Sequence, residues 1–456
     1  MIDFIKRKYI SLASDPRFSE IFTGSIWAFS ARVIAAVLGL AFSIIVARLY
    51  GARMVGIVAV IDSFLMLTTI FTVMGTSTSI LRLIPEHLSR YSPTSAFKVY
   101  RKTHSMVVVV SVIMAAVFFF GANLIAGKVF SKPYLSCYFA VASAFVVFRS
   151  MMNLNIQAVR GLRLIRFFAL MQFLPQLCNL LFLIITGLLW SSENVPVYAL
   201  LFGFAATGVV GWSIVNCTFK ERAQSNDTVH TVSRRAILSI SLPMLLTTTM
   251  AFIIGQTGIL MLGMFRTEAE VGYYAIAFKL ASSAQFIHIA VASMGGPKFS
   301  ELFHLGKIDE LFFIARKSTK MVFFATTPIL IGLILLGRPI LKLVFGVQFE
   351  VAYLPLVILV IGMFINSISG ATGMFMNMTD KETVLGKIMI LAAGLNIAIN
   401  FLLIPVLGIM GTAIAAMVTT CFHNLVILSY MKVKFGRTTG YVPFSKAVFH
   451  TFRNVR

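Results

Sequence analysis

The stretch MVVVVSVIMAAVFFFGANLIA, Met106 to Ala126, runs for 21 residues without a charge. As a helix rising 1.5 Å per residue it spans about 30 Å, the thickness of a bilayer's hydrocarbon core. Barrel strands would alternate apolar and polar residues over roughly ten positions, whereas Val107 to Val110 and Phe118 to Phe120 are unbroken apolar runs. Hydrocarbon offers no water to bond backbone N–H and C=O groups, so a segment of this kind must satisfy them internally, as a helix.

The same texture extends in both directions. Of the 456 residues, 58% are apolar and only 12% charged, and the mean hydropathy is +0.91. A soluble domain carries about a quarter charged residues, so most of this chain is built for lipid. Apolar runs at 22–47, 54–77, 104–127, 135–158, 167–190, 199–219, 236–262, 271–294, 320–343, 353–377, 387–406 and 411–431 give twelve expected spans. The fold expected is all-α and polytopic, with two six-helix lobes related by a pseudo-two-fold axis along the membrane normal. The corresponding domains are a cytoplasmic segment 1–21, an N-lobe 22–219, a linker 220–235, a C-lobe 236–431 and a basic tail 432–456. The first run, to about Ala47, exceeds a signal-peptide core and lacks an obvious cleavage site, so it reads as a retained span.

A net charge of +23 raises the question of nucleic acid. Location answers it. With the N-terminus inside, 29 of the 39 Lys and Arg residues fall in inner segments, seven in outer segments and three within spans. That asymmetry is the positive-inside bias. It places both termini in the cytoplasm, in an inner-membrane topology, and leaves no role for a nucleic-acid partner. Trp190 ends a span on the outer side, as an interfacial belt residue would. Cys137, Cys178, Cys217 and Cys421 lie in apolar runs without CxxC spacing and read as small core residues. No P-loop, HExxH or GxSxG motif is present, so neither cofactor nor metal is expected and hydrolytic chemistry has no visible carrier.

A weak internal repeat is visible. A shift of 216 residues superposes Val55-Gly56 on Val271-Gly272, Ala59 on Ala275 and Arg82 on Lys298. Inner loops 78–103 and 295–319 each follow the second span of a half. The second loop spaces Leu302, Phe303, Leu305, Ile308, Leu311, Phe312 and Ala315 as an amphipathic helix on the headgroup layer would. An even number of spans per half gives parallel halves, an arrangement that commonly encloses a central site.

Four ionisable residues other than histidine sit well inside spans: Arg32, Asp62, Arg149 and Lys279. Each costs about 2.5–3.5 kcal/mol at the bilayer centre on insertion scales, so each is expected to face water, a partner or a ligand. Arg32 shares a face with Ser25, Ala36, Gly39 and Ser43; Lys279 shares one with Gly272, Ala275, Ser282 and Ser283. The bland expectation pairs Asp62 with Arg32 and lets Arg149 or Lys279 snorkel to an interface. The sharper one notes three cations against one anion. A cavity of that sign attracts an anionic ligand, and guanidinium suits phosphate oxygens. Gln256, Asn366, Asn396 and Asn400 are candidates for sugar hydroxyls, with helix-to-helix bonding as the plainer alternative.

The run Ile44-Ile45-Val46-Ala47-Arg48-Leu49-Tyr50-Gly51, followed by Val55-Gly56, resembles the first hairpin of polysaccharide exporters in the multidrug/oligosaccharidyl-lipid/polysaccharide (MOP) exporter superfamily. The run Glu270 to Leu280 resembles the same place in the second lobe, and Pro297-Lys298-Phe299-Ser300-Glu301-Leu302 resembles the inner loop after it. This resemblance implies a two-lobed flippase that moves a polyprenyl-diphosphate-linked oligosaccharide between leaflets. Its expected partners are that anionic lipid-linked glycan, membrane lipids, a coupling proton or sodium ion, and a polysaccharide polymerase complex. Arg32, Arg149 and Lys279 become the candidates for the diphosphate and Asp62 the candidate for ion coupling. A multidrug exporter of the same superfamily needs membrane carboxylates for cations, which one Asp against three cations fits badly. A polymerase would favour a substantial outer loop, and a non-transporting scaffold leaves the interior charges unexplained.

Overall fold

The computed structural model describes residues 16–190, 192–222 and 232–441, apart from the side chains of 16–26, 28, 247, 293 and 294. Most of the basic N-terminal segment, most of the linker 220–235, the tail beyond Tyr441 and the side chain of Ser25 therefore lie outside the described residues. Every regular element among the described residues is helical. The chain divides into two compact units, Met1–Thr249 and Met250–Arg456.

The first unit opens with α1 (Pro16–Val73), which breaks at Gly51, where φ is 77° and ψ is 176°. That region is essentially closed to residues with a Cβ. Its two limbs thus turn about a single residue, where the sequence suggested a loop over 48–53. Then come α2 (Thr76–Arg90), α3 (Pro93–Leu124), α4 (Ser136–Ala144), α5 (Val146–Gly161), α6 (Ile165–Leu189) and α7 (Val195–Arg222). Here α6 packs on both α1 and α7, and α5 packs on α7 and α2. Helix α8 (Arg234–Phe265) crosses the unit boundary. Its first half belongs to this unit, where the hydroxyls of Ser241 and Ser79 meet at 2.7 Å.

The second unit continues with α9 (Glu268–Ala281), α10 (Gln285–His304), α11 (Ile308–Ile340), α12 (Tyr353–Ser369), α13 (Thr372–Met378), α14 (Glu382–Leu407) and α15 (Ile409–Phe435). Its centre is α15, packed on α12 and α14.

Among the described residues ten helices are long and apolar enough to cross a membrane, and the bent pair Pro133–Ala144 and Val146–Gly161 makes an eleventh crossing. One of the ten, Phe29–Val73, has 45 residues, about 68 Å or twice a hydrocarbon core. Broken at Gly51, it makes two crossings. The protein is a multi-pass, all-α membrane protein with about twelve, as the apolar runs indicated.

The repeat is clearer in backbone irregularities than in residue identities. A π-helical turn ends α3 at Ile125–Val129 and another ends α11 at Leu341–Phe345, 216 residues later, each followed by a 3₁₀ turn. Left-handed non-glycine residues precede α6 and α14 at matching places, Arg163 (φ 58°) and Asp380 (φ 54°).

Three expectations need correction. The single amphipathic helix within 295–319 is instead two helix ends joined at Gly306 (φ 69°). Leu302, Leu311, Phe312 and Ala315 pack inward on Phe375 and Met431, which removes their apolar surface from water. Spans expected from 104 and 320 begin in helices starting at Pro93 and Ile308, since their polar opening segments also carry buried faces, Ala96, Val99 and Tyr100 in the first and Leu311, Phe312 and Ala315 in the second. The cysteines are not core residues: Cys137 and Cys217 are exposed, Cys178 and Cys421 half-buried, and all four are free thiols.

Candidate functional site

The second limb of α1 buries Ile57, Ile61, Phe64 and Leu65, leaving Asp62 at the edge of that face with its side chain 46% exposed. On α5, Val146, Ser150, Leu154 and Ala158 are buried at helical spacing, and Ser150 meets Thr72 of α1 at 2.6 Å. This packing carries Arg149 to Asp62. Arg149 Nη1 donates to Asp62 Oδ1 at 2.5 Å, and its guanidinium carbon lies 4.1 Å from the centre of the Phe204 ring on α7. The Arg149 side chain is only 12% exposed.

Asp62 therefore pairs with Arg149 rather than Arg32, and Arg149 does not snorkel. A guanidinium this deep costs least against a carboxylate on one side and an aromatic face on another. The pair is lopsided, with its cation enclosed and its anion half open.

Arg32 is half-buried on the first limb of α1, eighteen residues before Tyr50 and so about 27 Å along the helix from that end. Arg160, which sequence reasoning counted with the loops, is close enough for its charge to act on Arg32. Arg160 is exposed at the end of α5, with its guanidinium 5.5 Å from the Phe168 ring. Among the described residues neither arginine is in an ion pair. Two guanidiniums in this relation repel each other, and an anion between them would relieve both. No sequence signal links residues 128 positions apart. Of the face expected around Arg32, Gly39 is buried, Ala36 is half-buried, and the Ser43 hydroxyl donates to the Gly39 carbonyl at 3.0 Å.

In the second unit, Lys279 is exposed in the last turn of α9, where the helix gives way to a 3₁₀ turn at Ser282–Ala284 before α10 resumes the span. Discontinuous helices of this kind commonly frame transporter sites. The buried Ser282 hydroxyl beside the break has no hydrogen-bond partner among the described residues. Gln256 is half-buried on α8. Asn396 Nδ2 donates to Thr419 Oγ1 at 3.1 Å, and Asn400 Nδ2 donates to the Asn396 carbonyl at 2.9 Å. Asn424 Nδ2 donates to Asn366 Oδ1 at 3.1 Å while accepting from Thr372. The amides of Asn396 and Asn424 thus tie α14 to α15 and α15 to α12, which is the plainer role weighed above.

The second unit also holds a cavity of about 670 Å³ lined by Arg266, Glu270, Arg338 and Glu350. Its cations are already neutralised, Arg266 by Glu270 at 3.7 Å and Arg338 by Glu350 at 2.5 Å. Among the described residues no group of three or more His, Cys, Asp and Glu could hold a metal ion.

A family model described as polysaccharide biosynthesis protein matches residues 45–354. A Haloferax volcanii protein, described as a probable low-salt glycan biosynthesis flippase, Agl15, is 22% identical over 243 residues. That match covers 52% of this chain, and it spans about half the length of the relative, 50%. Among solved structures, an inward-facing multidrug resistance MATE family transporter of the MOP superfamily aligns with a TM-score of 0.71 at 14% identity, covering 90% of this chain and 98% of that one. The lipid II flippase MurJ, inward closed, aligns at 0.72 and 16% identity, covering 90% and 87%. A MOP superfamily transporter from Pyrococcus furiosus Vc1 aligns at 0.64 and 15%, covering 93% and 97%. At these identities the structural likeness speaks for the fold.

Proposed function

We propose, from the premise that the chain belongs to the polysaccharide biosynthesis protein family and has the MOP superfamily fold, that it is a flippase for a polyprenyl-diphosphate-linked oligosaccharide. The cargo is a repeat unit of a surface polysaccharide, carried by alternating access from the cytoplasmic to the outer leaflet of the inner membrane. Both termini are cytoplasmic in this reading, and the protein acts as a transporter, not an enzyme.

The observation that carries the reading is the Arg32–Arg160 relation: two guanidiniums, one of them within a span, with no carboxylate paired to either among the described residues. Bidentate guanidinium contacts suit phosphate oxygens, and a diphosphate offers enough of them for more than one arginine. Lys279, at its helix break, is the second unit's candidate for a diphosphate. Arg149 enters differently, because it is already bound to Asp62. A diphosphate competing for Arg149 would free Asp62, and protonation of Asp62 would free Arg149. Either event gives a proton or sodium gradient a place to act.

A multidrug exporter is the alternative that the structural neighbours support. It would need carboxylates for an organic cation, and Asp62 is spoken for by Arg149. The experiment that separates the readings is deletion of the chain followed by analysis of lipid-linked intermediates. Completed repeat units stranded on the inner leaflet support the flippase. Single units exposed outside would assign a polymerase, and unaltered intermediates would leave the drug exporter in place.

A further inference from the structure

The cavities leave one arrangement that the transport reading does not use. Helix α11 opens on an acidic first turn, Asp309 and Glu310, and becomes basic only from Arg316 onward. Phe313, Arg316, Lys317, Lys320 and Phe324 recur at three- and four-residue spacing and so share one stripe of the helix. That stripe faces the segment 437–441, and between them lies a cavity of about 590 Å³. The far wall is strapped down. Arg316 Nε donates to the Thr438 carbonyl at 2.7 Å, Arg437 is paired with Asp309, and the Tyr441 amide donates to the Ile368 carbonyl at 2.9 Å.

Two cations remain uncommitted to carboxylates. Lys320 Nζ lies 5.8 Å from the ring centres of both Phe324 and Tyr441, and Lys317 Nζ lies 5.9 Å from that of Phe313. Neither lysine is in an ion pair among the described residues. Beside them on the outer surface of α11, Phe313 is 65% exposed, Met321 60% and Phe324 55%. The combination is an anion-binding mouth that continues into an open apolar track, which is the shape of a ligand with a charged head and a hydrocarbon tail. Free phosphate would use the mouth and leave the track bare.

The repeat supplies a contrast. At the matching place on α3, Lys98, Arg101, Lys102 and Arg234 line a cavity of about 290 Å³. There Lys102 Nζ is spent on the Val232 carbonyl at 2.6 Å. General positive-inside charge would make both places equivalent, yet only the α11 cavity has rings aligned under its lysines and an exposed aromatic track beside it.

We propose that the α11 pocket binds the phosphate of an anionic membrane phospholipid, with its acyl chains lying along Phe313, Met321 and Phe324. Basic residues at a membrane surface contribute about 1 kcal/mol each toward anionic lipid. Neutralising one lysine should therefore weaken binding about fivefold and neutralising both about 30-fold. The site is independent of the cargo, and its test needs no transport.

Native mass spectrometry of the purified full chain, titrated with phosphatidylglycerol and with phosphatidylcholine of the same chains, reads the binding directly. One saturable phosphatidylglycerol is expected, weakened about fivefold in Lys317→Gln and about 30-fold in Lys317→Gln/Lys320→Gln, and restored in Lys317→Arg/Lys320→Arg. Arg101→Gln, in the smaller cavity, should leave it unchanged. Circular dichroism checks that each variant is folded; where the double variant is not, the single variant decides. Equal binding of phosphatidylcholine, unchanged binding in the lysine variants, or equal loss in Arg101→Gln would overturn the proposal. Displacement by inorganic phosphate would reassign the pocket to a free anion, and displacement by polyprenyl diphosphate to the cargo; either outcome also overturns it.

Discussion

Removing Asp62 should damage the protein more than removing Arg149, although the two form a single ion pair. Asp62→Asn keeps the side-chain volume but strands a guanidinium whose side chain is only 12% exposed. Breaking a fully buried pair from one side costs about 3–5 kcal/mol. Here Asp62 is 46% exposed, so the site is partly hydrated, and the Phe204 face retains about 1 kcal/mol of cation–π attraction. The net cost should be about 2–3 kcal/mol. Arg149→Met leaves a half-exposed carboxylate, for which about 1 kcal/mol is the expected loss. The double variant Asp62→Asn/Arg149→Met should resemble Arg149→Met alone, because an uncharged pair of similar volume carries no stranded charge. In a unit of this size 1 kcal/mol moves the unfolding midpoint by roughly 2–4 °C. Asp62→Asn should therefore lower it by about 4–12 °C, against about 2–4 °C for the other two. Thermal unfolding of the four proteins in one detergent measures this. Equal and additive shifts would refute the asymmetry, and with it the enclosed-cation geometry on which it rests.

Two further outcomes follow from the packing. A Cβ at Gly208 would stand 2.7 Å from the Phe148 carbonyl oxygen, whereas nothing lies within 4 Å of one at Gly332 in α11. Gly208→Ala should cost about 1–3 kcal/mol by overpacking and Gly332→Ala should gain about 0.5–1 kcal/mol of helix propensity, both read from unfolding midpoints. The Tyr100 hydroxyl donates to Asn155 Oδ1 at 2.8 Å while Asn155 Nδ2 donates to the Gly208 carbonyl at 3.2 Å, all in a fully buried setting. Tyr100→Phe leaves that acceptor unmet and should destabilise by about 1–3 kcal/mol in the same assay, without changing which lipids copurify.

Much of this architecture is written in hydrophobic run length, because a bilayer imposes a length on every crossing. Span number was legible for that reason, whereas the 216-residue period rested on a few matched residues such as Val55-Gly56 and Val271-Gly272. Helix ends were less so. Lys98 and Arg101 look like loop residues by charge, yet Ala96, Val99 and Tyr100 on the other face hold the same segment in helix. The break near Gly51 was legible between two apolar runs, but not its closure on a single residue, because the flanking Tyr50 and Ala52 are as helical as the limbs they end. Interior charge was legible as a list and illegible as a set of partners. Run length says that Arg32, Asp62 and Arg149 are deep, but only the packing of α5 on α1 decides that Asp62 meets Arg149. Arg160, outside every apolar run, could enter the site only once α5 had been placed.

The most direct test reconstitutes the purified chain in vesicles and follows a fluorescent polyprenyl-diphosphate oligosaccharide from one leaflet to the other. With Arg32→Gln, the loss of one charge-assisted phosphate contact of about 1.5–3 kcal/mol should slow translocation by roughly 10- to 150-fold, and Arg32→Lys should recover part of it. Lys279→Gln should act in the same direction. Wild-type rates in Arg32→Gln and Lys279→Gln vesicles holding equal amounts of folded protein would contradict the claim that these interior cations receive the diphosphate.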